Sequence, residues 1–213
     1  MRKYCLPVLC LILGGCSGGN YQDYLRMQDI QPPTTEKFTH CYNYGCQTKV
    51  VLPLPSYTQD KLRKLFNPAP KTAEEERQKV SAAIGIFETD IGEIAGTKDD
   101  YHGTFRLYQD DSDTTRKFQQ DCVDESTNTT TYLGLLKAMD LLKFHEPAFP
   151  TARQPFANGN HWWHQTAVMR DTQSNILYAV DSWFRDNGYP AFVVPLEEWK
   201  DGWSPPKLTP PAP

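Results

Sequence analysis

The sequence predicts an α+β domain in which helices pack on a small antiparallel sheet. Three observations carry this. Two stretches, 72–96 and 126–144, repeat apolar residues at helical spacing. Two later stretches, Trp162 to Arg170 and Ile176 to Phe184, read as strands around a polar turn. The 213 residues, 39% hydrophobic and 23% charged, suit one globular domain with loose ends.

The elements follow in order. Residues 16–37 are polar, with Gly18-Gly19 and Pro32-Pro33, and read as a flexible tether. Lys49 to Pro55 reads as a short extended edge limited by proline. Thr58 to Phe66 suits a short helix, broken by Asn67-Pro68-Ala69-Pro70. Thr72 is an N-cap with Glu75 as capping-box partner. Val80, Ala83, Ile84, Phe87, Ile91 and Ile94 then form one apolar stripe, and Gly96 stops the helix. Residues 97–121 read as a polar loop. Its Asp110-Asp111-Ser112-Asp113 run lacks the glycine and distal glutamate of a calcium loop. In 126–144, Tyr132, Leu135, Leu136, Met139 and Leu142 mark a second buried helix, with Cys122 just before or within its first turn. Pro147 and Pro150 end that region. Val193 to Trp199 is a last short element, and 204–213 form a proline-rich tail. The folded domain is expected over 38–203.

Composition excludes several classes. A net charge of −4 argues against a nucleic-acid partner. No apolar run reaches the ~18–20 residues needed to span a bilayer. The chain is too apolar and aromatic to be wholly disordered, and six cysteines are too sparse for a disulfide-scaffold miniprotein.

Met1-Arg2-Lys3 is a positive start, and Tyr4 to Leu13 a short apolar run, as in a secretory signal. The following Leu13-Gly14-Gly15-Cys16 resembles the bacterial lipobox. The resemblance implies a signal peptide over 1–15, a lipidated Cys16 and membrane contact through the lipid alone. Ser17 after that cysteine implies the outer membrane, facing the periplasm.

That compartment is oxidising, so thiols there tend to pair. Cys41 and Cys46 are close in sequence, with Gly45 available for the turn, and are expected to form a disulfide. Cys122 is then the odd one out, an intermolecular bridge or a reactive thiol, the alternative being a buried free cysteine that acts as a small hydrophobe. At a helix start, the dipole and free backbone N–H groups favour a thiolate.

A thiolate nucleophile needs a base. His161 and His164 fall in a predicted strand but differ by three, so they point to opposite faces. That spacing makes them a poor metal pair, and no metal is expected. With a turn at Asp171-Thr172-Gln173-Ser174, paired residue numbers sum to 345, which sets His164 directly opposite Asp181. The candidate catalytic residues are therefore Cys122, His164 and Asp181. Trp162, Trp163 and Trp183 are candidates to line the cleft.

Asp121-Cys122-Val123-Asp124-Glu125 followed by a helix, then His164 and Asp181 on successive strands, resembles the transglutaminase-like, papain-like cysteine peptidase superfamily. The resemblance covers about residues 72–200. It implies a papain/transglutaminase-like core and a thiol hydrolase or acyltransferase site acting on a protein or peptide, without a cofactor. The threonine-rich start (Thr127, Thr129, Thr130, Thr131) departs from the alanine-rich start usual in such enzymes. The backbone N–H of Cys122 is one candidate oxyanion donor. The side chain of Gln119 or Gln120 is another, and the sequence does not choose between them. The competing class is a non-enzymatic envelope lipoprotein that binds protein or peptidoglycan. A murein-cutting cysteine peptidase ranks third, because Asp181 suits the transglutaminase-like pattern better.

Overall fold

In the computed structural model, residues 19–104, 118–154 and 163–206 are described. The signal segment, Cys16, Asp110 to Asp113, His161 and Trp162 lie outside them, as does the tail from 207 on. The described chain is mixed α+β, with five helices and two small antiparallel sheets. None of those helices is long and apolar enough to cross a membrane.

The first helix, α1 (Tyr21–Met27), lies where a tether was expected. Asn20 caps it by accepting from the N–H of Gln22 at 3.2 Å. Tyr21, Tyr24 and Leu25 fall at helical spacing and are buried together with Ile30. The segment is folded because these large side chains have an apolar seat, which its polar average composition conceals.

Strands β1 (Phe38–Tyr42) and β2 (Thr48–Leu52) form a hairpin. Cys41 and Cys46 are disulfide-bonded, with Cα atoms 4.8 Å apart. Gly45 does not make the turn alone, because Asn43, Tyr44, Gly45 and Cys46 all have φ between 59° and 67°.

Helix α2 (Ser56–Leu65) packs on α3 (Ala73–Ala95). Thr72 accepts from the Glu75 N–H at 3.1 Å, whereas Glu75 reaches back one residue further than expected, to the N–H of Lys71. Gly96 ends α3 at φ 88°, a left-handed C-cap. Val80, Ala83, Ile84, Phe87 and Ile91 are buried, but Ile94 is 47% exposed because the last turn runs past the core.

Helix α4 (Cys122–Ala138) has Cys122 in its first turn, one of the two expected placements, and stops sooner than its apolar spacing suggested. Asp121 and Asp124 close a capping box at its start, and Asp140 turns left-handed just past its end. The helix is buried along nearly its whole length. Its threonines fit there because Thr127, Thr130 and Thr131 bond carbonyls four residues back, so no hydroxyl is stranded. Tyr132 stacks on Phe87 with ring centres 4.6 Å apart, joining α4 to α3 in the main core. Gly134 admits the chain after α1. A Cβ there would lie 2.7 Å from Pro33 Cγ and 3.0 Å from Tyr21 Cε2.

The larger sheet runs β3 (His145–Arg153), β4 (His164–Asp171), β5 (Leu177–Asp181), β6 (Phe192–Pro195). Strand β3 includes Pro147 and Pro150, which were expected to end regular structure. It is an edge strand, and its register shifts between Ala148 and Thr151, so the missing N–H groups cost little. The short helix α5 (Leu196–Lys200) follows β6 directly.

The β4–β5 register differs from the expected one by two residues. Arg170 pairs with Leu177, not Asn175, and Ala167 pairs with Val180. Asp171 explains the wider turn. Its carboxylate accepts from the N–H groups of Gln173 and Ser174, and its backbone bonds Asn175 and Ile176. A shift of two preserves parity, so His164 and Asp181 stay on one face as diagonal neighbours rather than directly opposed.

Candidate functional site

Where β4 begins and β5 ends, His164 and Asp181 make a buried pair. His164 Nε2 lies 2.8 Å from Asp181 Oδ2, and the two residues are 0% and 2% exposed. The other ring nitrogen, Nδ1, is buried and has no hydrogen-bond partner among the described residues. With the carboxylate accepting at Nε2–H, Nδ1 carries the free lone pair.

Three aromatic rings enclose the imidazole. Trp183, Phe184 and Trp199 have ring centres 4.6, 5.1 and 5.4 Å from it. Trp199 also donates its indole N–H to Asp181 Oδ2 at 2.7 Å. Trp183 is anchored through its own N–H on the Thr104 carbonyl, while Trp163 is 39% exposed. Sequence reasoning missed Trp199. A buried indole needs an acceptor, but nothing in the spacing says which.

Arg153 was also missed. It pairs with His164 across β3–β4 and lays its guanidinium over the Trp199 ring, 4.7 Å from the centre. Its Nη1 donates to the carbonyls of Trp199 and Trp203 at 3.0 and 2.8 Å.

Cys122 is the first residue of α4, and its thiol is free and buried. The side chain of Asp121 takes the N–H groups of Val123 and Asp124, and its carbonyl takes that of Glu125. The N–H of Cys122 is outside this cap. Around it, Gln165 donates its side-chain amide to Ser126 and Tyr24, tying β4 to α4 and α1. The expected low-pKa thiolate is corrected here. Burial pushes the thiol up to about 12, a backbone N–H bond from Gln165 opposes this, and the charges of Asp121, Asp181 and Asp124 add to the rise. No hydrogen bond joins the sulfur to His164 Nδ1 in this resting arrangement.

Both glutamine side chains already have hydrogen-bond partners. Gln119 donates to the Asp99 carbonyl and accepts from the Tyr101 N–H, so its amide holds the 99–101 turn. Gln120 donates to Glu125 at 3.1 Å. Their position just before Cys122 suggested oxyanion donors; their amide nitrogens bond the Asp99 carbonyl and Glu125 instead.

Glu125 belongs to a buried carboxyl group with Glu88 and Asp100. Ser182, the residue after Asp181, donates to it. Burial, then the Glu125 charge, raises Asp100 to about 10, and burial raises Glu125 to about 7. Burial also lifts Glu88 well above the usual carboxylate range. Among the described residues, no group of three or more His, Cys, Asp or Glu side chains is arranged to hold a metal ion.

The disulfide loop docks on the start of α4. Gly45 N–H donates to Asp121 at 3.0 Å and Cys46 N–H to Asp124 at 2.7 Å. Asn128 bonds both backbone groups of Cys41. Compared with known protein families, curated proteins and solved structures, the chain has no match in any of the three.

Proposed function

We propose that this chain is a bacterial envelope lipoprotein with a Cys122-His164-Asp181 thiol hydrolase or acyltransferase site acting on peptide or amide bonds. In this reading 1–15 is a signal peptide, Cys16 carries the lipid, and the domain faces the periplasm from the outer membrane. The core belongs to the transglutaminase-like, papain-like class. One observation carries the proposal: a fully buried His–Asp pair leaves Nδ1 of His164 without a partner among the described residues, next to Gln165, whose backbone N–H reaches the free Cys122 thiol at the start of a helix.

The chemistry follows from those groups. His164 Nδ1 takes the Cys122 thiol proton as sulfur attacks the carbonyl carbon. Asp181 stabilises the imidazolium that forms and fixes which nitrogen is basic. The imidazolium returns its proton to the leaving amine, giving a thioester on Cys122. Water or a second amine then attacks the thioester, and the thiol is regenerated. The Cys122 N–H, outside the helix cap, is the candidate donor to the oxyanion. Because burial opposes loss of the thiol proton to water, transfer within the site to His164 is the route of activation.

A second reading is a non-enzymatic lipoprotein that binds protein or peptidoglycan. The elevated thiol and the missing Cys–His hydrogen bond favour it.

Peptide-resolved alkylation of the full-length protein by iodoacetamide, followed against pH, decides between them. The catalytic reading expects Cys122 to react near neutral pH and to slow about 100-fold or more in His164→Ala. A rate unchanged by that substitution overturns it in favour of binding. The same spectra read the Cys16 peptide for its lipid mass.

A further inference from the structure

We propose that Arg153 is a positioning residue of this site: its planar guanidinium fixes Trp199 against Asp181, and through Asp181 holds the His164 imidazole that takes the Cys122 proton. The inference rests on the catalytic reading above and names a residue outside its triad.

The geometry converges on one side chain. Arg153 is held by backbone pairing to His164 and reaches α5 with its guanidinium. Its bonds to the Trp199 and Trp203 carbonyls, with the stacking over the Trp199 ring, fix that indole where its N–H meets Asp181 Oδ2. One arginine thus braces both donors that share the Asp181 oxygen.

The charged groups around Cys122 are mostly acidic. Its own helix presents Asp121 and Asp124, and β5 presents Asp181, all three disfavouring a thiolate. From β4 comes His164, which gains charge only on accepting the proton. From α1 comes the Tyr24 hydroxyl, bonded to Thr127 and raised by burial. Strand β3 supplies Arg153, whose charged form burial disfavours, with the charges of Asp181 and then Cys122 opposing that.

The guanidinium also carries an unused donor. Arg153 is 8% exposed, and its Nε is buried with no hydrogen-bond partner among the described residues. Buried donors are nearly always paired, and the open Nε is an exception beside the Trp199–Asp181 contact.

The test is the pH profile of Cys122 alkylation by iodoacetamide in the full-length protein, for wild type, Arg153→Met and Arg153→Lys. Methionine keeps much of the apolar stem without charge, and lysine keeps the charge without the planar fork. We expect Arg153→Met to move the profile up by about one pH unit or more, a tenfold or greater slowing at fixed pH below the midpoint. Arg153→Lys, which loses the fork and the stack, should slow by a similar factor. A Met profile that superimposes on wild type overturns the proposal. So does a lysine variant within about threefold of wild type, which would mean that charge without the fork suffices. If the Met variant fails to fold, the lysine profile decides by the same threefold criterion. Independence of the wild-type rate from His164 would instead defeat the catalytic reading, while the Arg153 comparison still reports on the thiol.

Discussion

Trp199 and His164, 35 residues apart in sequence, hold the same oxygen, Asp181 Oδ2, at 2.7 and 2.8 Å. A carboxylate oxygen that accepts two N–H bonds in a dry site is fixed in position. The imidazole is thereby held with Nδ1 as its base.

Trp199→Phe keeps a ring over the site and removes one of those bonds. The expected cost is about 1.5–3 kcal/mol of stability, the scale of a hydrogen bond to a charged group lost in the interior. Thermal unfolding checks this. Slower His164-dependent alkylation of Cys122 in the folded variant would accompany it, because Asp181 loses part of its constraint.

The buried carboxyls predict alkaline weakness. Asp100 and Glu125 have folded pKa values raised to about 10 and about 7, so the folded state binds more protons than the unfolded state above their ordinary values. Their stabilising contribution is full below about pH 4 and is lost as pH rises through the folded values. Asp100→Asn keeps an acceptor for the Gln120 N–H and a donor for Glu125 without an ionisable proton. Denaturant unfolding from pH 5 to 10 should show a shallower alkaline decline in this variant. An identical decline would place the alkaline loss in other groups.

His40 works in the opposite direction. It is buried between Tyr132 and Thr97, and burial lowers its pKa to about 3. The unfolded state therefore takes the proton first, and stability falls as pH drops from about 6.5 towards 3. His40→Gln should flatten this acid limb in the same unfolding series, though with lower stability at pH 7 from lost packing.

Gly134→Ala would push a Cβ into Pro33 and Tyr21, both backed by packed chain. The expected loss is about 1–3 kcal/mol, typical of overpacking. Hydrogen exchange should show earlier opening of residues 21–33 than of α4, since the clash lies at their contact.

The sequence by itself determined the elements whose signal is local. Thr72 and Gly96 bracket α3, and its apolar stripe through Ile91 is the buried face, because capping and helical periodicity involve only near neighbours. Cys41 and Cys46 are joined, as their short spacing permits. The alternation of β-strands put His164 and Asp181 on one face, and that survived an error of two in register because side-chain direction depends only on parity.

Tertiary structure decided the rest, because it depends on what comes to cover each residue. A polar stretch became α1 once Tyr21, Tyr24 and Leu25 found a seat beside α4. A proline-bearing segment became β3 because it lies at a sheet edge. Asp171 widened a turn with hydrogen bonds that composition does not rank. Trp199 and Arg153 joined the site from distant parts of the chain. Above all, the helix start that favours a Cys122 thiolate is outweighed by burial and by three carboxylates. Desolvation and long-range charge are properties of the packed interior, and no local pattern in the sequence carries them.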